Sequence, residues 1–89
     1  MPELTRFYGI VITINYRDHP PPHFHASYGA DEATVVIDGP RLLAGSLPPH
    51  ARRMVLRWAR LHRMALFSHW SWAQDRSASE RPVGIPPLE

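Results

Sequence analysis

Residues 7–16, "FYGIVITINY", alternate without a slip, and nothing else in the chain restricts its fold as tightly. Tyr8, Ile10, Ile12, Ile14 and Tyr16 fall on one side of an extended segment, with Gly9, Val11, Thr13 and Asn15 on the other. A period of two marks a strand with one buried face. "HFHASY" repeats it, with Phe24, Ala26 and Tyr28 on one side and His23, His25 and Ser27 on the other. "ATVVID" follows the turn-like "GADE" and is a third strand by its β-branched residues. "GPRLLAGSLPP" is broken by Gly and Pro and reads as a loop. Ser46, Pro48 and Pro49 suit a helix entry, and neither Gly nor Pro interrupts Ala51 to Gln74. At about 100° per residue, Ala51, Met54, Val55, Trp58, Leu61, His62, Ala65, Leu66 and Trp72 share one helix face. Arg52, Arg53, Arg57, Arg60 and Arg63 share the opposite one. The expected architecture is α+β: a three-stranded antiparallel β-meander packed on one long C-terminal α-helix. Residues 1–74 would form a single domain, and residues 75–89 an extended, polar and then Pro-rich tail.

A chain of 89 residues is one small domain, near the size where folding buries only about 60% of the unfolded surface. At 44% apolar and 20% charged residues it is globular rather than disordered. No apolar run approaches the roughly 20 residues that span a bilayer, and no basic-then-apolar leader opens the chain. Without cysteine, disulfides and thiolate chemistry are excluded, which fits a cytoplasmic protein with no membrane contact. All ten basic residues are arginine. Residues 1–38 carry two Arg against five acids (2 − 5 = −3), residues 39–74 six Arg and no acid (+6), and residues 75–89 come to 2 − 3 = −1. An acidic first half therefore precedes a basic second half.

Matching inward residues pairs Tyr16 with Phe24, Ile14 with Ala26 and Ile12 with Tyr28. A four-residue turn over 29–32 then sets His23 opposite Asp38. The uncovered sheet face would gather His23, His25, Asp38, Asn15 and Arg17 beside the prolines at 20–22. Two imidazoles on one strand face suit a shared divalent metal such as zinc, with His19, Asp18 or Asp38 as third ligand. Without metal, Asp38 orients His23 as a general base toward water or a ribose hydroxyl. Also open are a partner-binding surface and a structural role, in which both histidines bond loop carbonyls and the prolines stiffen the turn. The first two readings describe a hydrolase such as a ribonuclease, with His23, His25 and Asp38 as its catalytic set.

The Arg face also has more than one reading. Arg53, Arg57 and Arg60 with Met64 and Phe67 form the mixture enriched at protein interfaces, and Ile85 and Leu88 of the tail can add to it. The partner would be a second copy or a small cognate protein. Five phosphate contacts would instead give nucleic-acid binding a salt slope of roughly −4, and a plain solvated face is the reading that needs no partner. No Ser-His-Asp set, glycine-rich phosphate loop or dinucleotide fingerprint is present.

"MPE" with "FYGIVI", "PPHFH", the "LP" before the helix, "VLRWARLH" with Trp70, and "IPPL" together make the chain resemble domain of unknown function family 4160. The resemblance runs nearly end to end, and it includes His23, His25, Trp58 and His62. Pro20 stands where the family has Asn, and Arg60, Met64 and Ala65 stand where its carboxylates are common, so this helix surface is basic. The resemblance at "IPPL" implies that the tail docks, and the resemblance as a whole implies no settled activity. It does imply a partner-binding protein, one half of a two-gene module in the manner of toxin–antitoxin pairs.

Overall fold

The described residues build five strands and two helices rather than three strands and one. In this computed structural model, which describes residues 3–75 and 80–89, the elements are β1 (Glu3–Phe7), β2 (Ile10–Thr13), β3 (His23–Tyr28), β4 (Asp31–Val36), β5 (Arg41–Gly45), α1 (Pro49–Leu61) and α2 (Arg63–Gln74). The strands form one antiparallel sheet in the order β1-β2-β3-β4-β5. Met1 and Pro2 of the "MPE" motif and residues 76–79 of the tail lie outside the described residues.

Three local events overturn the expected three-stranded meander on one long helix. First, "FYGIVITINY" is not one strand. Tyr8 and Gly9 both adopt left-handed backbone, with φ of 49° and 81°, and make a two-residue hairpin turn that pairs Phe7 with Ile10. Paired residues point to the same side of a sheet, so Phe7 is buried with Ile10 while Tyr8 is exposed at the tip. Second, "RLLAG" is an edge strand. Gly45, at φ 75°, brings the chain so close to β4 that a Cβ there would collide with the Glu32 carbonyl oxygen, which accepts the Ser46 amide. Replacing Gly45 by Ala is therefore expected to lower stability by about 1–3 kcal/mol, read as a lower urea midpoint at unchanged slope. Third, the helix breaks at His62, whose φ of −118° and ψ of 29° are not helical. The break turns the second segment, so Leu66, His69, Trp70 and Ala73 are buried while Leu61, expected inside, is exposed.

One sheet face carries Phe7, Ile10, Ile12, Phe24, Ala26, Ala33 and Val35, and it packs on Ala51, Val55, Trp58, Ala59 and Leu66. Trp58 is fully buried at the centre, with its ring 5.8 Å from that of Phe7 and 5.7 Å from that of Phe24. Its indole Nε1–H donates to the Pro86 carbonyl at 2.9 Å. His69 Nε2 lies 2.9 Å from the Val83 carbonyl, and Ile85 joins the core. The tail is thus held against the helices at Val83, Ile85 and Pro86.

Candidate metal centre

His23 and His25 alternate with Phe24 and Ala26 on β3, so their rings share the sheet face opposite the main core. The long β2–β3 connection, residues 14–22, folds over that end of the face. Ile14 anchors it in the core, the Arg17 amide donates to the Ala73 carbonyl, and the Tyr16 ring packs edge-on against Trp72. Asn15 and Asp18 of this connection are thereby brought over the histidines. His23 lies beneath the connection and against Trp70, at a ring separation of 5.0 Å, with 3% exposure. Asp18 and His25 remain partly open to solvent.

The hydrogen bonds orient both rings the same way. His23 Nδ1 lies 2.6 Å from the Pro21 carbonyl oxygen, which only accepts, so that nitrogen carries the hydrogen. Its Nε2 faces Asp18 Oδ2 at 2.9 Å. The Asn15 amide, at 3.2 Å, donates to His25 Nε2 and leaves Nδ1–H to the Thr34 hydroxyl at 3.4 Å. His25 Nε2 is also 3.8 Å from Asp18 Oδ2. Both Nε2 atoms therefore converge on one carboxylate, and the three ligand atoms lie within 4.8 Å of one another. Metal bonds of about 2.0–2.1 Å place neighbouring ligand atoms about 3 Å apart. The Asp18–His23 spacing meets this already, and the Asp18–His25 spacing needs a small closure in which the Asn15 amide gives up the His25 Nε2 lone pair to the metal. Holding Nδ1–H outward on an oxygen while Nε2 points inward is how metal-ligating histidines are usually fixed.

Burial pushes the Asp18 carboxyl up, but the His19 amide, the His23 ring with its charge, and the Asn15 amide outweigh this and hold it below the ordinary carboxylate range. A carboxyl depressed by folding stabilises the native state above its unfolded pKa, and that contribution is lost as pH falls through the lower native value. Metal-free Asp18→Asn protein is therefore expected to lose less stability on acidification than the parent, measured by urea unfolding across the acid range.

Of the other sequence-proposed ligands, His19 is a neighbour rather than a member. Its side chain is 82% exposed, and its Nε2 is 3.7 Å from Asp18 Oδ1, the carboxylate's other oxygen. Asp38 is not brought to the histidines at all. The β3–β4 turn has two residues rather than four, so His23 pairs with Val36 and His25 with Thr34. Asp38 instead accepts from Arg63 at 2.9 Å. Sequence reasoning placed Asn15 on this face but missed Thr34 and Trp70, which act through the register and the helix break. Along the helices, Arg53, Arg57, Arg60 and Met64 are exposed and Phe67 is half-buried beneath the Arg63 guanidinium, whereas Ile85 is buried within the chain and Leu88 half-buried. No helix among the described residues is long and apolar enough to cross a membrane.

The family model described as "Domain of unknown function (DUF4160)" matches residues 9–71, which include strands β2 to β5, the Asp18–His23–His25 cluster and most of the helical segment. No curated protein and no solved structure matches the chain. Because the match covers well over half of its length, the chain belongs to this domain-of-unknown-function family.

Proposed function

We propose that the protein binds one divalent transition-metal ion, zinc by its donor set, through Nε2 of His23, Nε2 of His25 and a carboxylate oxygen of Asp18, and that it is a hydrolase. The observation that carries this is the convergence of both Nε2 atoms on Asp18 with both Nδ1 atoms directed outward. The 2.9 Å gap between His23 Nε2 and the Asp18 carboxylate takes a cation, either a proton on the ring or a metal ion in its place. Two histidines and one carboxylate leave a coordination position for water, whose pKa a bound zinc ion lowers to about 7. Trp70 and the proline connection exclude solvent on the His23 side, and the open Asp18–His25 side is where substrate would approach. Calorimetric titration of chelator-treated protein with Zn²⁺ tests the first half, with one equivalent expected. Hydrolysis of an activated phosphodiester or ester by the zinc-loaded protein, lost in Asp18→Ala, tests the second. Absence of stoichiometric binding would remove the metal centre.

A second reading is association, with a second copy or with a small cognate protein as in a toxin–antitoxin-like module. Leu61 and Met64 support it, being 63% and 72% exposed beside the helix break. Sedimentation should then show a mass that rises with concentration and falls back in Leu61→Ser/Met64→Ser, and a monomer at all concentrations would count against self-association.

A further inference from the structure

The exposed face of α1 carries a groove of about 540 Å³ lined by His50, Arg53, Met54, Leu56, Arg57, Arg60 and Leu88. Arg53, Arg57 and Arg60 follow i, i+4, i+7, so they form one ridge about 10 Å long at 1.5 Å per residue. Among the described residues, none of these three guanidinium groups takes part in an ion pair, whereas Arg6 and Arg63 each hold a carboxylate. The excess is built into the chain, since residues 39–74 contain six arginines and no acid. Met54 and Leu56 flank the ridge, and Leu88 of the docked tail forms an edge of the groove. The groove therefore combines unneutralised positive charge with aliphatic walls.

We infer that this groove docks an acidic amphipathic helix of another protein chain, with carboxylates at i, i+4 and i+7 against Arg53, Arg57 and Arg60 and with aliphatic side chains against Met54, Leu56 and Leu88. The inference rests on the association reading above, independently of the metal centre, and adds the partner's chemistry. A helix suits the groove because its side chains repeat at the pitch of the arginines. Nucleic acid suits it less well: the lining holds no Phe, Tyr or Trp to stack on a base, and phosphates would leave the aliphatic walls uncovered. A second copy suits it less well too, because neither α1 nor α2 carries an acid, and its exposed Asp31, Glu32, Glu80 and Glu89 lie on a strand and in the tail rather than at helical i, i+4, i+7 spacing. The tail does not fill the groove, being held alongside it by the Trp58–Pro86 hydrogen bond.

The test titrates the full chain with a synthetic helical peptide carrying glutamates at i, i+4 and i+7 beside leucines, with its glutamate-to-lysine counterpart, and with a single-stranded RNA of equal charge to the glutamate peptide. The glutamate peptide is expected to bind, the lysine peptide is not, and Arg53→Glu/Arg57→Glu/Arg60→Glu should weaken binding by at least about tenfold through lost attraction and new repulsion. These side chains are exposed, so an unchanged circular dichroism melt controls for folding. Arg57→Gln, which only removes one charge, should weaken binding by about two- to fivefold. RNA bound more tightly than the acidic peptide would overturn the inference in favour of nucleic acid. A concentration-dependent mass abolished by the triple reversal would assign the groove to a second copy. Failure of the peptide to bind, with self-association through Leu61 and Met64 intact, would remove the acidic partner while leaving the association reading in place.

Discussion

His25→Ala protein is expected to fold normally and to bind zinc more than about 100-fold more weakly than the parent, because loss of a supporting outer-shell partner alone already costs about 10–100-fold. His25 is the informative position because its ring is only half-buried and its neighbours, Asn15 and Thr34, keep solvent contact when it is removed. His23 is less suitable, since its ring also fills space against Trp70 and truncation would mix lost packing with a lost ligand. Asp18→Ala should match His25→Ala in affinity. Affinity should also fall on acidification, because protons compete for the nitrogen lone pairs the metal requires. In the parent, zinc at about 100 times its dissociation constant adds about 2.7 kcal/mol to stability, so the melting temperature should rise, and the His25→Ala protein should show no such rise. Zinc bound equally by the parent and by His25→Ala would place the ion elsewhere.

Trp58→Ala is expected to cost about 3–5 kcal/mol, the range for removing a large aromatic side chain from a core. A small domain holds only about 5–15 kcal/mol in total, so this one change should take a large part of it. Trp58 is fully buried, touches the rings of Phe7 on β1 and Phe24 on β3, and bonds the tail at Pro86. One side chain therefore joins the sheet, the helix and the tail. Trp58→Phe separates these roles. It keeps most of the ring contacts, loses the indole donor and leaves the Pro86 carbonyl without it, at about 1 kcal/mol. Amide exchange should then quicken in the segment around Ile85 while the sheet stays protected. Wild-type urea stability in Trp58→Ala would show that the tail and the two aromatic rings are not packed as described.

Facing was legible before any coordinates because it is a local property. Alternation along 10–14 and 23–28 put Ile10, Ile12, Phe24 and Ala26 in the core, and it put both imidazoles on one common face. The helical period put Trp58 inside and the arginines outside. The same alternation misled at Tyr8 and Gly9, because a two-residue turn passes through an alternating stretch without an obvious interruption. It also could not set register. Sliding a strand by two residues leaves every side chain on its original face, so the pattern is identical for Ile12 against Tyr28 and for the observed Ile12 against Ala26.

That two-residue freedom separates what sequence alone determined from what the tertiary structure decided. A strand with two histidines on one face, an apolar face against a tryptophan-bearing helix, and a cysteine-free basic second half all follow from short-range periodicity and composition. The number of strands, the break at His62, the docking of Ile85, and above all the choice of Asp18 over Asp38 and His19 at the histidines do not. They depend on how the 14–22 connection and the Gly29–Ala30 turn close, and on which distant surfaces the chain can then bury together. Closure and burial are energies of the whole chain, and no window of a few residues carries them.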